Sequence, residues 1–288
     1  MKLAVAGLLP ADLSKVDDEV AWRVRAAGFA GCSCFFADPT AWAEAALDRL
    51  RDTLHRAGVA VAQVNAHYEC LVHPDASLRR QGIATLQAAV RVCQRLQGDN
   101  LYVRPGSMNP NGHWLPHPAN HAPETLDRLV DSLQRVAAVA EDAGVTLALE
   151  GHTVSPLDTP QIVREVIDRV GSPALKFNCD YVNFISGVQD VYHSRRVIDR
   201  LFDTLGDVTW AVHAKDADIE DRHVLHISEV VPGRGRMDLG YMLQRFAAAR
   251  PEGFVIIEHL PDDKIPEARD ALLRAAEAAG VIWSEGES

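Results

Sequence analysis

The chain has 288 residues, 47% of them hydrophobic, and a formal net charge of -11. That apolar share supports a sizeable core, whereas the acidity argues against a nucleic-acid partner, which requires clustered Lys and Arg to neutralise phosphates. No apolar run approaches the ~20 residues that cross a bilayer, so a membrane partner is not expected either.

The first residues carry only a short apolar run, broken by Pro10, too short for a signal peptide. They read as a first strand, Leu3 to Ala6. Further strands are expected at Gly31 to Phe36, Val59 to Asn65, Asn100 to Val103, Thr146 to Leu149, Ala174 to Asn178, Val208 to His213 and Phe254 to Glu258. The stretches between them carry apolar residues at three- and four-residue spacing, such as Leu126, Leu129, Val130, Leu133 and Val136, which predicts helices. Glycines in RAAGFA, RAGVA, EDAGV and EAAGV suit helix ends. Pro39-Thr40, Ser77 and Thr159-Pro160 suit helix starts.

Eight strands and eight helices in strict alternation predict a single (β/α)8 TIM barrel domain over residues 1–288, since about 250 residues is typical of that fold. A doubly wound open sheet is the alternative, but no G-x-G-x-x-G follows the first strand. The turn-rich segment Pro105 to His121 reads as a loop carried on the barrel. Five cysteines without paired spacing point to a reduced, cytoplasmic setting, with Cys32 and Cys34 as apolar filler.

Four strand ends carry metal-grade side chains: Glu150, Asp180, His213 and Glu258. Alternation along a strand puts Lys176, Asn178 and Asp180 on one face, His213 and Lys215 on one face, and Ile256 with Glu258. Polar residues in an otherwise buried strand need partners or a ligand. A site at the C-terminal rim, where barrel enzymes place their chemistry, answers that need. Three carboxylates and one imidazole suit a divalent ion, Mn2+ first, with Mg2+, Co2+ or Zn2+ as alternatives. Each acid alone could equally cap a helix or pair with an Arg; the force of the set lies in its equivalent placement.

The segments ALEGH, FNCDYVNFISG, VHAKDAD, VPGRGRMDLGYM and GFVIIEH resemble those of the xylose isomerase-like barrels, specifically the sugar phosphate isomerase/epimerase group. That group takes in ketose 3-epimerases, hydroxypyruvate isomerases and inosose dehydratases. The resemblance is carried by the second half of the chain. It implies that Glu150, Asp180, His213 and Glu258 bind one divalent metal, and that Glu150 and Glu258 double as acid and base. The implied activity is isomerisation or epimerisation of a keto-sugar or keto-polyol through a metal-stabilised enediolate. A lyase or dehydratase, inosose dehydratase-like or cleaving a keto-glycoside, would use the same α-deprotonation. Many relatives carry His where this chain has Asn183, and the Arg expected of ketose 3-epimerases is absent from Ser228-Glu229-Val230-Val231. A free-ketohexose epimerase is therefore disfavoured.

Candidate substrate contacts are His67, Arg104, His152, Asn183, Lys215 and Arg234, with His113 and Trp114 on a loop able to cover a sugar. A small-molecule sugar or polyol is the expected partner, and a homo-oligomer is possible.

Overall fold

In the computed structural model, which describes residues 1–284, strands and helices alternate along the chain. The strands are β1 (Lys2–Val5), β2 (Gly31–Phe36), β3 (Ala60–Ala66), β4 (Leu101–Val103), β5 (Leu147–Glu150), β6 (Leu175–Cys179), β7 (Thr209–Ala214), β8 (Asp216–Ile219), β9 (Ile227–Val230) and β10 (Phe254–Ile257). Eight of them, all but β8 and β9, pair in parallel and close into a TIM barrel, with β1 hydrogen-bonded to both β2 and β10. The helices are α1 (Asp18–Ala26), α2 (Glu44–Arg56), α3 (Ala76–Leu96), α4 (Pro123–Ala143), α5 (Pro160–Val170), α6 (Val188–Tyr192), α7 (Ser194–Leu205), α8 (Leu239–Ala249) and α9 (Ile265–Ala279).

Alternation along each strand sorts the side chains into two layers. Leu147, Leu149, Leu175, Phe177, Val212, Val255 and Ile257 belong to the large core that includes the helices' apolar faces. The opposite parity fills the bore. Ala4, Ala62, Ala211, Phe254 and Ile256 form a separate apolar plug. Polar residues of the same strands occupy the C-terminal half.

Besides the consecutive helices α6 and α7 and a register shift between β6 and β7 at Phe177/Asn178, two features break the expected alternation. In β3 the register steps from Cys32↔Val61 to Ser33↔Gln63, so Ala62 is an extra residue in a β-bulge. Val61 packs toward the helices and Ala62 in the bore, and Gln63, which strict alternation from Val61 would turn outward, also faces inward. The second feature is the antiparallel hairpin of β8 and β9 after β7. It occupies a segment, between the strands expected at Val208 to His213 and Phe254 to Glu258, where no strand was expected.

The expected helix ends hold: Gly28, Gly58, Gly144 and Gly280 all have positive φ. The starts need adjustment. Thr159 caps α5 as expected. By contrast, Pro39–Ala41 is a 3-10 turn capped by Asp38, and Asp75 rather than Ser77 caps α3. A carboxylate one or two residues upstream reaches the free N–H groups first. Among the described residues no helix is long and apolar enough to cross a membrane. All five cysteines are buried and unpaired.

Candidate metal centre and active site

The strand-end residues converge at the C-terminal half of the bore. Glu150, Asp180 and His213 each present one donor atom, all within 4.8 Å of one another, and all three are buried. Glu258 joins them through His213, whose Nδ1 lies 3.0 Å from Glu150 Oε2 and 3.1 Å from Glu258 Oε1.

Those separations are hydrogen-bond distances, yet His213 Nδ1 has no properly aligned hydrogen bond, and neither oxygen of Asp180 accepts one. Among the described residues, the one ion-pair partner of Asp180 is the Lys215 ammonium, 2.7 Å from Oδ2 and too oblique to count as a hydrogen bond. Buried atoms of this kind cost free energy unless something else pairs them. Adjacent ligands held about 2.1 Å from an octahedral ion stand about 3.0 Å apart, close to the spacing seen around His213 Nδ1. Off-axis oxygens at that spacing fit a shared cation better than they fit one another.

A chain of buried amides fixes which imidazole nitrogen faces the carboxylates. A carboxylate only accepts, so the group that Asn178 places 2.6 Å from Glu150 Oε2 is its Nδ2. Asn178 Oδ1 is therefore free to accept from Gln63 Nε2 (3.2 Å), which also donates to Asn100 Oδ1 (3.0 Å). Gln63 Oε1 must then accept the Nε2–H of His213, at 3.1 Å. With Nε2 committed as donor, the lone pair of the neutral ring lies on Nδ1, the ligand position. Such outer partners orient metal-binding imidazoles.

Glu150 is held further by Tyr102, whose hydroxyl donates to Oε1 at 3.1 Å, and by Asn183 Nδ2, also on Oε1 at 3.0 Å. The Tyr102 ring stacks on His213 with centroids 5.7 Å apart. Oε1 is thus saturated by the protein, and Oε2 is the oxygen left toward His213. Glu258 differs: it is partly exposed and lines an open cavity with Asn65, Phe35 and His259.

The charges respond to this crowding. Burial opposes a charge on His213, but Glu258 and Glu150 overcome it and raise its pKa to about 10 in the metal-free protein. Burial raises Asp180 to about 6, with Lys215 pulling the other way. Burial pushes Glu258 in the same direction, yet His213 and Lys215 hold its carboxyl well below the usual range. Lys215 is buried between Asp180 and Glu258 (2.9 Å), and these acids keep its ammonium charged despite the burial.

A sequence description of xylose isomerase-like TIM barrels matches residues 23–278. The chain belongs to the xylose isomerase-like TIM barrel family. The C-glycoside deglycosidase alpha subunit of Microbacterium trichothecenolyticum is 33% identical to this chain over 122 residues, 38% of this chain and 33% of that protein. The match thus spans a third of that relative's length. A xylose isomerase-like TIM barrel protein from Mycobacterium smegmatis, solved in complex with magnesium, superposes with a TM-score of 0.74 at 15% identity, covering 96% of this chain and 97% of that one. The 3-keto-D-glucoside 4-epimerase of E. coli gives 0.71 at 18% identity, covering 96% and 99%. At these identities the structural matches establish the shared barrel.

Within this family frame, the remaining candidates fall in different places. Asn183 and Lys215 are in direct contact with the carboxylates. His152 is half-buried at the end of β5, its Nδ1 accepting from Val154 N (3.1 Å) and its ring 5.8 Å from that of Trp114. The loop from Gly106 to His121 is thereby tied to the rim of the barrel. His67 is exposed at the end of β3. Arg104 is buried, but its guanidinium donates to the carbonyls of Ala66 (3.1 Å) and Tyr68 (3.3 Å) and stacks on the Tyr68 ring at 4.1 Å. Arg234 stands apart from the metal-binding side chains. It pairs with Glu267 of α9, with Nη2 2.8 Å from Oε2, because the loop after β9 turns it toward that helix.

Besides Gln63 and Asn100 of the amide chain, three contributors were not expected from sequence. Tyr102 shares the inward parity of β4 with Arg104, so alternation would have found it. Glu229 reaches the site only through the β8–β9 hairpin, 3.6 Å from Lys215. His259 has φ 58, a left-handed conformation that costs a non-glycine residue ~1–3 kcal/mol. It lies between Glu229 (3.3 Å) and Glu258 (3.6 Å). A larger cavity, about 750 Å³, lies beside α7 and α8 and is lined by none of these metal-site residues. Its Arg195 and Arg236 are already paired with Asp238 and Asp218.

Proposed function

We propose that this chain is a divalent-metal-dependent isomerase or epimerase acting on a keto-sugar or keto-polyol. The observation that carries the reading is the set of unpaired, buried donor atoms on Asp180 and His213, flanked by Glu150 and Glu258. Glu150, Asp180, His213 and Glu258 would hold the ion. When bound, such an ion polarises a carbonyl and stabilises the negative charge that develops when the neighbouring proton leaves.

The protein's own groups divide the remaining work. Glu258 faces the cavity and is the carboxylate placed to take the proton from the carbon beside the carbonyl. Glu150, fixed through Oε1 by Tyr102 and Asn183, would be the second acid/base group, with Oε2 the oxygen that carries the proton returned to carbon. Lys215 supplies a fixed positive charge 2.9 Å from Glu258, which a buried site makes effective. Asn183 can bond substrate or Glu150 but cannot exchange protons at neutral pH. Magnesium in the M. smegmatis protein, and a 3-keto-glucoside as substrate of the E. coli epimerase, support a divalent ion and a keto-sugar here.

The test is proton exchange at carbon. In D2O, a 3-keto-glucoside should take up deuterium beside its carbonyl in the presence of the loaded protein, and Glu258→Gln should abolish this. Unchanged metal content and unchanged exchange in that variant would remove Glu258 from the site. A second reading, cleavage of a keto-glycoside, is favoured by the partial match to the C-glycoside deglycosidase alpha subunit. It predicts an unsaturated sugar and a released aglycone instead of simple exchange.

A further inference from the structure

The cavity of about 750 Å³ beside α7 and α8 lies outside the metal centre, and its charge is unlike that of the chain. Four guanidiniums line it, those of Arg195, Arg196, Arg236 and Arg274, against the two carboxylates of Asp216 and Asp238. Over the whole chain acids prevail, 40 Asp and Glu against 29 Lys and Arg. Both carboxylates are already occupied. Asp216 is 1% exposed and accepts from four backbone N–H groups, Ala217 and Met237 on Oδ1 and Gly233 and Gly235 on Oδ2. Asp238 caps α8 through Oδ1 and pairs with Arg195 through Oδ2 at 2.6 Å. Arg236 is taken by Asp218, which does not line the cavity, also at 2.6 Å.

Arg196 and Arg274 remain. Among the described residues neither side chain makes an ion pair or a hydrogen bond, yet both line the cavity. They reach it from α7 and α9, on either side of α8. Two guanidiniums carry about +2, which a phosphate monoester, about -1.5 to -2 at neutral pH, neutralises. Their planar forks also match its oxygens. The net charge of -11 does not cancel this local excess, because exposed charges more than about 8 Å away are screened at physiological salt. The volume lies within the ~300–1,000 Å³ of small-molecule sites, more than a bare phosphate fills. Tyr192 offers a wall for the remainder: its ring is 57% exposed, with the Arg236 guanidinium 5.9 Å from the centroid. Since Gly233 and Gly235 give their N–H groups to Asp216, the donors for an anion here are side chains.

We infer that this cavity binds an organic phosphate, its phosphate on Arg196 and Arg274 and its organic part against Tyr192. The site is independent of the metal centre and of the keto-sugar reading. The test is a phosphorus NMR titration of the full chain in EDTA with adenosine monophosphate, ribose 5-phosphate and inorganic phosphate. At least one ester should bind with a Kd below about 1 mM, more weakly as salt is raised. Arg196→Gln and Arg274→Gln should each weaken it about tenfold, with unchanged thermal melts and, once loaded with metal, unchanged deuterium exchange. A preference of about tenfold for adenosine monophosphate, lost in Tyr192→Ala, identifies a nucleotide; equal binding of both esters identifies a sugar phosphate. If inorganic phosphate binds as tightly as either ester and Tyr192→Ala changes nothing, the organic half of the proposal is overturned. If no probe binds, or if the double arginine variant binds like the wild type, the site itself is overturned.

Discussion

Lys215→Met would separate what the buried ammonium does for the metal-free protein from what it does for the loaded one. Without an ion, three carboxylates in the bore share two cations, His213 and Lys215, and among the described residues Asp180 pairs with Lys215 alone. Removing one member of a buried pair leaves an uncompensated charge and costs about 3–5 kcal/mol. At about 2.1 cal/mol/K of unfolding entropy per residue, a chain of 288 residues loses roughly 1 °C of Tm for every 0.6 kcal/mol. The metal-free variant should therefore melt about 5–8 °C below the metal-free wild type. A bound divalent ion neutralises Asp180 and Glu258 directly, so most of that loss should disappear with Mn2+ or Mg2+ present. By linkage, the variant should bind the ion at least about tenfold more tightly than the wild type. The assays are melting curves with EDTA or metal, and titration calorimetry. An unchanged metal-free Tm, or weaker metal binding in the variant, would refute the idea that Lys215 stands in for the ion's charge.

Two further outcomes follow from particular contacts. Gln63→Leu removes the acceptor for His213 Nε2–H and the donors to Asn100 and Asn178. Metal affinity measured by calorimetry should fall about 10–100-fold, and an unchanged affinity would show that the amide chain does not orient the imidazole. Gly82→Ala, which helix propensity alone scores as stabilising by about 1 kcal/mol, should instead lower the denaturant midpoint. A Cβ there would sit 2.2 Å from the Glu69 carbonyl oxygen, and a raised midpoint would show that α3 and that segment separate freely.

The alternation of apolar strands and amphipathic helices was enough to specify the barrel, because each strand must bury both faces and each helix one. The strand-end positions of Glu150, Asp180, His213 and Glu258, and the inward parity of Asn178 and Lys215, were legible for the same reason: period two is a local property. What alternation could not reveal lay where the period breaks or where distant segments meet. Gln63 faces the bore only because Ala62 bulges, and nothing in AVAQVNA marks that residue as extra. Glu229 and His259 reach the site through a hairpin and a left-handed turn, both fixed by contacts across the rim. Arg104 and Arg234 read as candidate substrate contacts in the sequence, and only the tertiary structure shows that the first packs on Tyr68 and backbone carbonyls and that the second pairs with Glu267. The sequence by itself determined which side chains stand at the ends of strands. Only the closed barrel decided which of them point at one another, because ligand geometry depends on register and twist summed over eight strands.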